Sequence, residues 1–201
     1  MRKILTVPAL TLLAFMTMAA AEAVPWNVDA PHTEVNFSVK HFFTPVTGTF
    51  KNYDIDLTFD PEAPENSTVK VTIDVASVDT KNERRDTHLR SADFFDAEGH
   101  PHMTFESTSV RSAGANQLIA RGNLTIKGIT REVELPITLL WVKAIPAEMQ
   151  EMLGGVNQVA SFETKTTLDR REFEVGVANW AQTVIVGGDV EVSIAVEANR
   201  K

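Results

Sequence analysis

Trp26 to Phe50 reads W-N-V-D-A-P-H-T-E-V-N-F-S-V-K-H-F-F-T-P-V-T-G-T-F. Val35, Phe37 and Val39 fall on one side of an extended chain, and Asn36, Ser38 and Lys40 on the other. A period of two marks a strand with one buried face. His32 and His41 bracket the apolar run, and Pro45 and Gly48 are expected to turn the chain after it.

The alternation returns along most of the sequence. Tyr53, Ile55, Leu57 and Phe59 share a face, as do Val69, Val71, Ile73 and Val75. Met103 and Phe105 follow, then Leu118, Ala120, Leu124 and Ile126. Val133, Leu135, Ile137, Leu139 and Trp141 make the longest run, Phe162 and Leu168 mark a Thr-rich strand, and Val190, Val192, Ile194 and Val196 end the chain. About eight strands, each apolar on one side, predict an all-β, single antiparallel barrel. A barrel of that size is filled by its own side chains or encloses one small ligand. Lys127-Gly128 reads as a tight hairpin turn. Pro136 inside a strand points to an edge, a bulge or a bend.

Two segments break the pattern. Thr80-Lys81-Asn82-Glu83 has capping-box spacing and predicts a short helix from Lys81 to about Arg90, anchored by Phe94 and Phe95. Ala144 to Gly155 predicts a second, with Met149, Met152 and Leu153 on one face, either as a flap over a pocket mouth or packed flat on the barrel.

The first residues are expected to be a leader. Arg2 and Lys3 precede an apolar run, Ile4 to Met18, and small residues end at Ala23, so residues 1–23 read as a signal peptide for export. The run is shorter than the ~20 residues a membrane span needs, and no later stretch is long enough. The chain has 27 acidic against 19 basic residues, a net charge of −8. Loss of the leader makes it more acidic still, which argues against nucleic acid as a partner. Cysteine is absent, which excludes disulfides and thiol chemistry.

No G-x-S-x-G turn and no Gly-rich phosphate loop is present. His100 and His102 stand two apart, His32 and His41 lie at opposite ends of a strand, and no carboxylate stands at a fitting offset, so no metal site is expected. The inward aromatics Phe37, Phe105, Trp141 and Phe162 serve either as a ligand lining or as barrel filling. Arg84, Arg85, Asp86, His88 and Arg90 form either a polar rim or a solvated helix with local ion pairs.

Several pieces in order carry a family resemblance. They are H-T-E-V-N-F-S-V-K-H at His32–His41, V-D-T then R-D-T-H-L-R-S within Val78–Ser91, and D-F-F-D with H-P-H-M-T-F within Asp93–Phe105. G-N-L-T-I-K-G-I-T at Gly122–Thr130, L-D-R-R-E-F, and G-G-D-V-E-V-S-I complete the set. The chain resembles the YceI-like family of periplasmic proteins, whose lipocalin-like barrel binds polyisoprenoid lipids. One departure is Glu174, where the family usually has Gly.

The resemblance implies an isoprenoid ligand, a polyprenyl phosphate or pyrophosphate or a quinone, held as carrier or sequestering protein in the periplasm. It implies an apolar lining from Phe37, Val39, Phe43, Phe50, Tyr53 and Ile55, continued by Leu89, Phe94, Phe105, Leu124, Trp141 and Phe162. It places His41, Arg85 and His88 at a rim near the head group. It implies no catalytic residue and no cofactor, since a quinone would be the ligand itself, and it admits a homodimer. Two alternatives stay open. One is a barrel enzyme on an amphiphilic substrate with His41 or His88 as base. The other is a stress-related interaction protein with a filled interior and an exposed apolar patch at Trp180 or the Met149 helix.

Overall fold

Strand formation follows the alternation. Thr68–Asp74, T-V-K-V-T-I-D, sets β-branched side chains inward between polar ones and forms a central strand. The computed structural model describes residues 23–182 and 184–201. Apart from Ala23, the expected leader lies outside the described residues. The strands are β1 (Val24–Val28), β2 (Glu34–His41), β3 (Thr44–Phe50), β4 (Tyr53–Phe59), β5 (Thr68–Asp74) and β6 (Val78–Asp79). After helix α1 (Glu83–Arg90) come β7 (His102–Gly114), β8 (Gln117–Ile126) and β9 (Ile129–Ala144). Helix α2 (Ala147–Gln150) leads to β10 (Gln158–Asp169) and β11 (Val186–Arg200).

All pairings are antiparallel, in the order β1-β4-β5-β7-β8-β9-β10-β11, and β1 pairs back onto β11. Eight strands therefore close into the expected barrel. β11 is long enough to hold two partners. Its end pairs with β1 at Asn27↔Asn199, and its first half pairs with β2 from Val190↔Val39 to Ala195↔Glu34. β3 and the short β6 extend the sheet beyond β2.

The Lys127–Gly128 hairpin forms as expected, with φ of 50° and 74°. The turn after β2 does not. His41 pairs with Thr44, so Phe42 and Phe43 make the turn, while Pro45 and Gly48 lie inside β3. Gly48 has a packing role instead. It faces Phe37 across the strands, and a Cβ there would sit 2.4 Å from the Phe37 ring. Helix α1 also begins later than the capping-box reading placed it. Asn82 is the cap, its side chain accepting from the Arg85 amide, and Thr80 binds Asp86.

The interior divides along the barrel axis. In one half Trp26, Phe59, Val110, Leu118 and Phe162 interlock with Ala120, Ala160 and Ala198, all buried. Phe59 meets Phe162 edge to face at 5.0 Å, and the Trp26 indole donates to the Phe59 carbonyl at 3.0 Å. In the other half the wall residues are mostly Val and Ile, and a lid of α1, residues 91–97 and the segment after β10 covers them. Phe94, Phe173 and Val175 form the buried centre of that lid.

β9 and β10 pair from Gln158↔Ala144 to Thr164↔Ile137 and no further. The pairing stops at Pro136, which has no N–H to donate and so behaves as the edge residue its sequence context suggested. Beyond that point the two strands run on without a shared ladder, β9 paired with β8 and β10 with β11.

Candidate functional site: an apolar cavity under the lid

The lidded half of the barrel holds a cavity of about 200 Å³. Its wall is almost wholly apolar and comes from nearly every strand. β2 contributes Val35, Phe37 and Val39, and β11 contributes Val190, Val192 and Ile194. β5, β7 and β8 supply Val71, Ile73, Met103, Phe105, Leu124 and Ile126. Leu135 on β9 and Thr166 and Leu168 on β10 face it from either side of the unpaired stretch. Leu89, Phe94, Phe95, Phe173 and Val175 close it from the lid.

Seven residues expected in the lining are in this wall, namely Phe37, Val39, Phe50, Leu89, Phe94, Phe105 and Leu124. The other five are elsewhere. Phe162 is filling in the closed half, between Phe59 and the β11 face. Tyr53 packs beside Val35 and spends its hydroxyl on the Thr33 carbonyl, and Ile55 lies half-buried on β4 outside the cavity wall. Phe43 is 89% exposed because it is a turn residue. Trp141 is 65% exposed because of a bulge. Ser161 pairs with Trp141 but Phe162 pairs with Leu139, so Leu140 is an extra residue. One inserted residue moves everything after it to the opposite face, so Val142 takes the inward place and Trp141 points out.

None of the three expected rim residues reaches the cavity. His41 is exposed beside the β2–β3 turn, edge-on to Phe42 at 4.8 Å. Arg85 is turned onto Thr80, with Nε donating to Oγ1 at 2.7 Å and Nη2 to the carbonyl at 2.8 Å. The Thr80 hydroxyl and amide in turn bind buried Asp86, so this cluster fastens the helix to the strand end. His88 bonds Asp93 at 3.1 Å and packs against Phe94 and Trp180. That bond holds the Asp93 carboxyl below its ordinary pKa. The Met149 helix is at the closed end of the barrel, so it is not a flap over this cavity.

The residue the sequence reading passed over is Arg170. It is buried, it lines the cavity, and its guanidinium meets five backbone carbonyls. Nε donates to Gly187, Nη1 to Val175 and Gly176, and Nη2 to Trp180 and Val186, at 2.7 to 2.9 Å apart from the shorter contact to Gly176. All five N–H donors of the side chain are thereby used. Burial first, then neighbouring Arg171, pushes its pKa below the ordinary value. The side chain clasps the lid and has no donor left for a head group. The only signal for it was its place in L-D-R-R-E-F, where adjacent arginines look alike. Arg171 points out to Asp169, and only Arg170 turns in.

His32 also has neighbours the sequence did not show. Its Nδ1 lies 3.0 Å from Asp29 and 3.8 Å from Glu197, which the β1–β11 closure brings in. The three ligand atoms lie within 4.8 Å of one another. The cluster is an exposed ion pair outside the cavity, and the Asp29 hydrogen bond raises the His32 pKa. A second concavity, of about 730 Å³, is lined by Ser38, Thr49, Lys165, Glu191 and Ser193. It also shares Asn36, Phe37, Thr166 and Val192 with the apolar cavity, so the two adjoin at the β2, β10 and β11 wall. Among the described residues no helix is long and apolar enough to cross a membrane.

Comparisons with known proteins agree with this architecture. A UPF0312 protein of Ectopseudomonas mendocina is 38% identical over 165 residues, covering 82% of this chain and 81% of that protein. The crystal structure of Burkholderia cenocepacia BcnA superposes with a TM-score of 0.76 at 29% identity, over 85% of this chain and 99% of that one. A structure from Saccharophagus degradans, described as a polyisoprenoid binding domain implicated in plant cell wall breakdown, shares the fold. Its TM-score is 0.63 at 11% identity, covering 89% of this chain and 99% of its own. The family model described as the YceI-like domain matches residues 26–198, and the chain belongs to the YceI-like family.

Proposed function

We propose that this protein binds the tail of an isoprenoid lipid in the lidded half of its barrel, as a carrier or sequestering protein acting after export to the periplasm. The observation that carries the reading is the cavity. A void of about 200 Å³ in an otherwise packed interior costs roughly 5 kcal/mol at ~24 cal/mol per Å³. That is a large part of the roughly 5–15 kcal/mol by which domains are stable. An apolar occupant recovers the cost. The Saccharophagus degradans domain of the same fold carries a polyisoprenoid-binding description, which supports the ligand class.

The size bounds the occupant. An apolar cavity of about 150 Å³ takes one benzene, so the cavity of about 200 Å³ takes roughly eight carbons, or about one to two prenyl units. Each unit contributes about 4 kcal/mol of apolar burial before ordering costs. With Arg170 saturated and the rim residues turned away, affinity comes from the tail and the head group stays at the lid margin. A quinone, whose head is uncharged, suits such a site better than a pyrophosphate.

The test is native mass spectrometry of protein purified from its own host, followed by extraction of any bound lipid. An isoprenoid adduct is expected. A clean apo mass, together with no uptake of added ubiquinone or farnesyl analogues, removes the proposal.

A further inference from the structure

The β2–β3 turn breaks the usual chemistry of a two-residue hairpin. Such turns favour Asn-Gly or Asp-Gly, because the first turn position needs positive φ. Here the residues are Phe42 and Phe43, with Phe42 at φ 52°. A bulky side chain in that region is an outlier, and strain of this kind is kept where a site uses it. The rings are also turned to solvent. Phe42 is 51% exposed, and beside it Val184 is 61% exposed, joined through the Phe42 amide to the Ile185 carbonyl at 2.8 Å.

The tip belongs to the cavity end of the barrel. Val39 on the same strand and Val186, which pairs with His41, both line the cavity. The tip is also free of negative charge. In a chain with 27 acidic residues, the stretch from Val35 to Phe50 has none and carries Lys40 and His41. Residues Val175 to Gly188 carry no charge at all. The exposed apolar patch at the closed end differs, since Met149, Met152 and Leu153 are interspersed with Glu148 and Glu151.

We propose that the Phe42–Phe43 tip docks the cavity end of the barrel onto the surface of a phospholipid bilayer, with both rings in the interfacial layer and Lys40 near the phosphates. Two rings of ~200 Å² each, partly exposed, and one valine present roughly 300–400 Å², well short of the ~800 Å² per partner that a stable protein interface needs. A convex tip of that size suits insertion between lipid head groups. The proposal extends the lipid-binding reading but does not need the cavity to be occupied.

The experiment is co-sedimentation of the lipid-free protein with vesicles of phosphatidylethanolamine and phosphatidylglycerol, containing no isoprenoid. Wild type is expected to partition onto them. The double substitution Phe42→Asn and Phe43→Gly should lower the partition coefficient roughly tenfold or more. It should leave the melting temperature unchanged or higher, since it restores favoured turn residues. A second variant, Trp141→Ser with Met152→Ser at the closed end, should bind vesicles like wild type. Absence of wild-type binding, equal binding by the tip variant, or loss confined to the closed-end variant overturns the proposal. Uptake of a soluble fluorescent farnesyl analogue, measured without vesicles, reports the cavity separately. Loss of uptake with vesicle binding intact refutes the cavity reading and leaves the docking tip standing.

Discussion

Filling the cavity from within tests the central reading most directly. Val192 points inward from the middle of β11, opposite Phe37 on β2 and beside Thr166 on β10. Val192→Phe adds four carbons to a space with room for roughly eight. At ~0.8 kcal/mol per buried carbon the gross gain is about 3 kcal/mol. Subtracting a restricted rotamer and local adjustment leaves about 1–2 kcal/mol of added stability in the lipid-free protein. The same ring removes roughly half of the space, so about one prenyl unit is displaced and affinity for the tail falls by at least about tenfold. Urea unfolding of lipid-free wild type and variant gives the first quantity, and titration with a fluorescent farnesyl analogue gives the second. A variant less stable than wild type by 1 kcal/mol or more would mean the ring met packed atoms and not a void. Unchanged affinity would mean the tail lies elsewhere. Either result refutes the account.

Arg170→Met should cost about 2–4 kcal/mol in urea unfolding, because several lid carbonyls lose their donor while relief of a buried charge offsets part of the loss. Arg170→Lys should not rescue it, since three rotating donors cannot replace a planar fork of five. Glu174 occupies the left-handed region at φ 53°, so Glu174→Gly should raise stability by about 1 kcal/mol, read from the thermal midpoint. Trp141→Ser should change stability by no more than about 0.5 kcal/mol, whereas Phe162→Ala in the closed half should cost about 3–5 kcal/mol. The imidazole signal of His32 should titrate above 6.5, and Asp29→Asn should bring it back down. Because the folded state favours the protonated ring, its small contribution to stability is complete below the unfolded value and is lost as pH rises through the folded one.

The barrel was legible because alternation is a direct image of a pleated, one-sided sheet, and the wall residues Phe37, Val39, Phe105 and Leu124 followed from it. The errors have local causes. Trp141 followed a clean run from Val133, and nothing in L-L-W-V announces that Leu140 is inserted. A bulge shifts hydrogen bonds, not composition. Phe43 looked like strand because turns are read from Gly, Pro and Asn, and this turn has none of them. Gly48 looked like a turn because the cross-strand ring that needs it is distant in sequence. Glu197 is likewise brought to His32 by barrel closure from 165 residues away, and the carbonyls around Arg170 are gathered by the looped segment that follows it. By contrast, Glu174 in place of glycine was visible as a departure, and its left-handed backbone explains why the family prefers glycine there.

The stretch where β9 and β10 run side by side without a ladder has a mechanical consequence. Opening a closed barrel elsewhere means unzipping a row of amide–carbonyl bonds, each strong in a dry interior. Along this slit, from Pro136 toward the lid, no such row exists to be broken. The wall can part there at the expense of side-chain contacts alone, as a purse opens along its clasp edge and not through its cloth. If the cavity holds a lipid tail as proposed, its volume bounds the length that is buried, and any surplus would have a sideways exit along this slit.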